Sequence, residues 1–422
     1  TDLRNKVRKR VEKNFFDTPE TATTVDISTF IEEESHMAAK LLEGGYPAHA
    51  KFENTFPQSA YFDEEYFKKE LENIFFKSWL CAGRVEEIPN TGDFLTLNIA
   101  HENVIIIRAQ DGSINTFYNV CRHRGSRLCE AAKGNYAKGY LTCHYHSWMY
   151  DGKTGALVNA PNIPNETKDF NKEDYPLKKI KTEIWDGYIW INLDENSPSL
   201  KESFGLPESW EVYKQYDMEN LKLGKKITYN VKANWKLVME NASECYHCGN
   251  IHPELSRTTP PTRERLKVDE APETEVIKHT GAMDLRPGFD RVNIDGKVYR
   301  PPFPGLDEEE ARKIYYLHIY PHLFIGMAAD YVFMATMFPV TPDETIVHGY
   351  WLFDPKVLED ENAYIDDAVE FWDVTSLQDW KACELTHEAN KSKAYQSGGV
   401  LTPVEWRTAA FKHFVQSKVE GK

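Results

Sequence analysis

The spacing of apolar positions changes along this chain, and each change predicts a different kind of element. From Asp63 to Trp79 the apolar residues Phe67, Leu71, Ile74 and Phe75 follow a capping aspartate at helical intervals, which predicts an amphipathic helix packed on a core. The residues before it read as helical and then irregular. From about Trp79 to Asn196 the pattern becomes short β-rich runs such as DFLTLNI, NVIIIRAQ and YIWINL, separated by turn-forming stretches, and this predicts a small all-β domain. After NSPSL the pattern is mixed, with a helical segment near Trp235 to Cys248, a strand-like block from Tyr315 to Phe353 and a helix from about Asn362 to Lys393. The fold class is therefore α+β, with an N-terminal helical or irregular segment (1–78), an all-β domain (79–196) and a mixed domain (197–422). No internal repeat or low-complexity tract interrupts this order.

The bulk composition fits that division. A chain of 422 residues with 41% hydrophobic and 13% aromatic content can fill two or three cores. Its formal net charge of -16 argues against nonspecific attraction to nucleic acid or anionic lipid and would tolerate a small cationic substrate. The most apolar stretch, Phe324 to Val340, is interrupted by Gly326, Asp330 and Pro339, so it reads as core strands and no membrane span is expected. The basic start, with Arg8, Lys9 and Arg10, lacks the apolar core of a secretory signal and fits a solvated helix face or a subunit contact; a cytoplasmic location is expected. Seven cysteines in a chain this long make no disulfide framework, and two of them lie close to histidines, which points to metal.

Two constellations carry that chemistry. In the β-rich region, Cys121-Arg-His123 is followed, after the intervening residues 124–142, by Cys143-His-Tyr-His146. A short Cys-x-His loop facing a Cys-x-x-His loop supplies one thiolate and one imidazole from each side, as a [2Fe-2S] cluster with two thiolates on one iron and two imidazoles on the other requires. The same four ligand types also fit a structural zinc tetrahedron, so these residues alone leave both open. Cys81, Cys129 and His144 fall outside the pattern and read as packing or hydrogen-bonding residues.

The second constellation lies in NWKLVMENASECYHCGNIHP, residues 234–253, where Glu244, His247 and His252 follow Glu-x2-His-x4-His spacing. Residues five apart on an ideal helix diverge by roughly 140°, so the two imidazoles converge only if the helix ends between them. Gly249 and Pro253 permit that. A non-heme ferrous site needs a carboxylate as third ligand. Asp379 is the choice, because Ile365, Ala368, Trp372, Asp379 and Cys383 share one otherwise apolar or small stripe of the late helix, where an unpaired carboxylate is costly. A buried polar network would satisfy Asp379 equally well. Cys245 and Cys248 have the spacing of a redox CxxC pair but lack a βαβ context.

With NVCRHRGSRLC, CHYHSW, NWKLVMEN, ECYHCGNIHPEL and WDVTSLQD in this order, the sequence resembles the Rieske non-heme iron oxygenase α subunits over about residues 46–422, and within them the branch acting on quaternary ammonium compounds. The resemblance implies an all-β Rieske domain and a helix-grip-type catalytic domain whose antiparallel sheet is covered by helices. It assigns Cys121, His123, Cys143 and His146 to the [2Fe-2S] cluster and His247, His252 and Asp379 to a mononuclear iron. Glu244 would bridge His146 of one subunit to His247 of the next, carrying electrons around a homotrimer. The implied reaction uses O2 and NAD(P)H electrons from a separate flavin and iron–sulfur reductase to hydroxylate and N-demethylate a betaine-type cation. An aromatic-ring dioxygenase, or a noncatalytic Rieske or zinc-binding protein, would be the alternatives. A methylated cation has no N–H to donate, so aromatic faces must recognise it, and Phe324, Tyr331 and Phe333 are the candidates. The interval between the two cluster loops is slightly longer than is commonest in the family.

Overall fold

Two antiparallel sheets, each built from one of the β-rich regions, organise the described residues. The computed structural model describes residues 50–164, 167–205, 211–260 and 275–421. The helical start expected before residue 50, with Arg8, Lys9 and Arg10, lies outside the described residues.

The first sheet has seven strands in the spatial order Leu80–Arg84, Tyr188–Asn192, Lys179–Trp185, Ile114–Tyr118, Glu102–Arg108, Asp93–Ile99 and Lys133–Asn135. Its interior strand Glu102–Arg108 buries Val104, Ile105, Ile106 and Ile107 on both faces, which is why that run reads as continuously apolar rather than alternating. A small sheet of Tyr140–Thr142, Met149–Asp151 and Leu157–Asn159 stands beside it. Ile105, Ile107 and Phe117 of the large sheet pack with Leu141, Tyr150 and Leu157 of the small one, and Cys121 and Cys143 lie in this same core.

The second sheet has six strands in the order Lys222–Val231, Glu344–Phe353, Val332–Thr341, Leu323–Met327, Lys313–Ile319 and Ile277–Asp284. The helix Asp366–Ala389 lies on one face of it. Trp351 Nε1–H donates to Ala368 O at 3.1 Å, the Tyr229 hydroxyl donates to Asp373 at 2.6 Å, and the Phe333 ring stacks on Trp372 at 4.7 Å. Gly326 eases this approach, since a Cβ there would stand 3.3 Å from the Trp372 ring and push it back slightly. Among the described residues no helix is long and apolar enough to cross a membrane.

The described part of the N-terminal segment packs on this second unit. Asp63 caps the helix Glu64–Glu70 by accepting from Tyr66 N–H at 2.8 Å. The helix then widens into one π-type turn, Leu71–Phe75, which buries Leu71, Ile74 and Phe75 together, and it ends short of Trp79. Glu70 accepts from Trp235 Nε1–H at 2.9 Å and pairs with Lys236 at 2.6 Å, both charges fully buried. Removing either partner would strand the other charge in the core, at a cost of about 3–5 kcal/mol. Glu53–Asn54 pairs with Val400–Leu401 and ties the segment to the C-terminal end.

Candidate metal centres

The two Cys/His loops are built alike. Cys121 N–H donates to Ser126 O and Gly125 N–H returns to Cys121 O; in the second loop Cys143 N–H donates to Trp148 O and Ser147 N–H returns to Cys143 O. Each turn is closed by a left-handed residue, Gly125 at φ +73° and Ser147 at φ +59°. Both sulfurs point into the core and neither is in a disulfide, while His123 and His146 stand exposed at the loop tips with their Nδ1 atoms 3.2 Å apart. His123 lies flat on Trp148 at 4.8 Å, which fixes its plane.

Burial, with help from neighbouring Cys143, pushes the Cys121 thiol up, so a thiolate forms here only against positive charge. Tyr150 sits 3.2 Å from Cys121 Sγ while accepting from Arg122 N–H at 3.1 Å, leaving its own proton free for the sulfur. Two buried sulfurs and two surface imidazoles converging through Nδ1 fit a two-iron cluster with its histidine-bound iron outermost. Tyr150 and Trp148 carry no sequence signal for these contacts. Cys81 and Cys129 are buried as expected, but His144 is exposed and packs on nothing central.

The second site forms where a helix stops. Trp235–Ala242 is capped by Asn234, and it ends earlier than the sequence pattern indicates. The reason is Glu244: its carboxylate accepts from Tyr246 and His247 N–H, taking donors that a continuing helix would bond to carbonyls. A short helix Cys248–Ile251 follows, and His252, at φ -117° and ψ 75°, leaves the helical path immediately before Pro253 opens the next helix. His247 and His252 thus turn toward each other, with ring centroids 5.2 Å apart.

Asp379 completes the group from the long helix. Its Oδ1 lies 2.9 Å from His252 Nε2 and 3.3 Å from His247 Nε2, yet it is buried and accepts no well-aligned hydrogen bond. The opposite edges of both rings are taken, since His247 Nδ1 contacts Glu244 and His252 Nδ1 lies 2.8 Å from Gln378 Oε1. Burial opposes charge on His247, but Glu244 and then Asp379 outweigh it and carry its pKa to about 10. Burial likewise opposes ionisation of Asp379, and His252 and His247 outweigh that and hold its carboxyl well below the usual range. These groups are arranged around a positive charge, and a divalent metal with two imidazoles and one carboxylate satisfies them. Cys248 also offers an atom within 4.8 Å of both histidines, but its sulfur is joined to Cys245 in a disulfide and is no thiolate. The sequence alone gave that pair no role.

A cavity opens beside the three residues, walled by Tyr316, Phe324, Phe333 and Trp372. The four rings pack on one another as a continuous wall: Tyr316–Phe324 at 5.8 Å, Phe324–Phe333 at 6.3 Å, Phe333–Trp372 at 4.7 Å, Tyr316–Trp372 at 6.4 Å and, across the middle, Phe324–Trp372 at 6.1 Å. Glu244, Asp379 and the two histidines are the only ionisable side chains of Asp, Glu, Lys, Arg or His type along it among the described residues. Of the three candidate aromatic residues, Phe324 and Phe333 line this cavity and Tyr331 does not. It directly precedes strand Val332–Thr341, whose Phe333, Ala335 and Met337 line the cavity. Its hydroxyl donates to Val292 O at 2.6 Å and accepts from Trp372 Nε1–H at 2.9 Å, so it stands behind the wall and holds Trp372. Trp372 was visible as a helical neighbour of Asp379 seven residues on. Tyr316 emerges only from sheet register, opposite Gly326.

Comparison with known proteins finds matches to both parts of the chain. The Rieske [2Fe-2S] domain profile matches residues 78–180, and the catalytic-domain profile of the ring hydroxylating alpha subunit matches 218–421. The glycine betaine monooxygenase oxygenase subunit of Pseudomonas aeruginosa is 35% identical over 382 residues, 83% of this chain and 87% of that protein. The carnitine monooxygenase oxygenase subunit of Acinetobacter pittii is 29% identical over 85% of this chain and 91% of its own. The crystal structure of the quaternary ammonium Rieske monooxygenase CntA in complex with L-carnitine superposes with a TM-score of 0.67 at 26% identity, covering 89% of this chain and 98% of that one.

Proposed function

The chain belongs to the Rieske ring-hydroxylating oxygenase α subunits, O2-dependent enzymes with a [2Fe-2S] cluster and a mononuclear iron, and from that premise we propose that it N-demethylates a small, glycine betaine-like quaternary ammonium compound. The observation that carries this reading is the aromatic wall of Tyr316, Phe324, Phe333 and Trp372 on the cavity that Asp379 also lines. A trimethylammonium group offers no hydrogen-bond donor, and aromatic faces attract it with about 0.5–2 kcal/mol per ring. The chain's overall charge is negative, which favours approach of a cation over an anion.

In this reading residues 79–196 hold the cluster through Cys121, His123, Cys143 and His146, and residues 197–422 hold the iron through His247, His252 and Asp379. Iron bound there would supply activation of O2 for insertion of one oxygen atom into an N-methyl C–H bond. The resulting hemiaminal releases formaldehyde and the demethylated amine. The aromatic walls hold the cation's methyl groups toward the metal and keep water out. Glu244 fixes His247 through Nδ1 and, as the acceptor shared with His146 of a neighbouring copy, would pass electrons between subunits of a homotrimer. His146 stands exposed, and Glu244 lies beside the exposed Tyr246, which suits contact between copies. A separate flavin and iron–sulfur reductase would deliver NAD(P)H electrons to the cluster.

The test is to supply such a reductase and screen glycine betaine, carnitine, choline and simple aromatic acids. Coupled consumption of NADH and O2 with release of formaldehyde is expected for a methylated ammonium compound. Oxidation of an aromatic acid to a cis-diol, with no response to any ammonium compound, would overturn the substrate assignment.

A further inference from the structure

The two histidines are oriented by different partners. His247 Nδ1 meets the Glu244 carboxylate directly, whereas His252 Nδ1 meets a neutral amide, Gln378 Oε1 at 2.8 Å, whose Nε2–H donates to Glu254 Oε2 at 2.9 Å. All three members of the second arrangement are buried: His252 is 1% exposed, Gln378 0% and Glu254 6%. A carboxylate only accepts, so it must face the amide's NH2 end; this turns the amide oxygen to His252, and an oxygen there demands that Nδ1 carry the proton. The lone pair is then on Nε2, the atom facing Asp379.

We propose that Glu254 and Gln378 are positioning residues that set the tautomer of His252 by relay, Glu254 acting two hydrogen bonds away from the metal. The inference rests on the reading of His252 as an iron ligand and adds to it what holds that ligand ready. A glutamine in place of Glu254 would let both amides flip. His252 could then carry its proton on Nε2, and metal binding would have to reverse that.

The direct test is binding of Fe(II), and of Co(II) as a spectroscopic substitute, to full-length protein with its cluster intact but the mononuclear metal removed, in competition with a chelator. Glu254→Gln keeps the side-chain volume and is expected to weaken binding about 10–100-fold, with the cluster absorption unchanged. The double variant E254Q/Q378E puts a carboxylate where the amide was, accepting from both His252 Nδ1–H and the new amide, and should restore tight binding. Binding by Glu254→Gln equal to wild type would overturn the relay, as would equal loss in the single and double variants, which would mark the pair as packing alone. Wild-type protein that takes up no metal beyond the cluster would overturn the underlying reading of the site, a distinct result.

Discussion

Replacing Phe333 by Leu tests the aromatic wall with little disturbance to the core. Phe333 is buried, stacked on Trp372 at 4.7 Å and 8° and 5.0 Å from Trp351. Leucine keeps the site apolar and close in volume, so the stability loss should be about 1 kcal/mol. What disappears is one aromatic ring of the cavity wall. At about 0.5–2 kcal/mol for a desolvated ring on a cation, substrate affinity should fall roughly 2- to 30-fold. A neutral isostere in which a tert-butyl group replaces trimethylammonium presents the same shape without the charge, and its binding should change much less. Titration calorimetry of both compounds against both proteins gives the ratio directly. Equal weakening of the cation and the isostere would refute the argument, because it would reduce Phe333 to a packing residue.

His247→Ala or Asp379→Ala should lose the mononuclear iron and keep the cluster's absorption and EPR signals, since the two ligand sets stand in separate sheets' territory; iron analysis beside EPR checks this. Glu244→Gln should retain both metals but lower turnover strongly at unchanged substrate affinity, because an amide stabilises paired imidazoles less than a carboxylate; single-turnover electron transfer reads it. Burial pushes the Glu240 carboxyl up to about 7 against the opposing hydrogen bond from Tyr61 and the Lys236 charge. The folded form therefore holds a proton that the unfolded chain releases near 4.5, and stability should decline as pH rises from about 4.5 through 7, by at most about 3 kcal/mol. Glu240→Gln should flatten that slope and raise the melting temperature above pH 7, which thermal unfolding across pH measures.

Much of this was legible in the sequence because local chemistry forces it. Cysteine and histidine at loop spacing, a proline after His252 and a periodic stripe through Asp379 are each properties of short segments. The all-β and mixed regions likewise announced themselves through runs whose burial does not depend on distant partners. What stayed hidden depends on register across the sheet or on side chains meeting from afar. Tyr316 reaches the cavity only because strand Lys313–Ile319 pairs with Leu323–Met327 so that Tyr316 faces Gly326. Tyr331 shares the parity of Phe333 yet precedes the strand, and its place behind Trp372 follows from a hydroxyl shared between the indole and Val292. The early end of the helix at Ala242 follows from a side chain, Glu244, competing with the backbone, which apolar periodicity does not reveal.

The account stands on two iron centres of different kinds in one chain. The most direct measurement is iron, zinc and acid-labile sulfide per chain in anaerobically purified, fully loaded protein. The account predicts about three irons and two sulfides, one pair of irons in the cluster and one on His247, His252 and Asp379. Zinc without sulfide would contradict it.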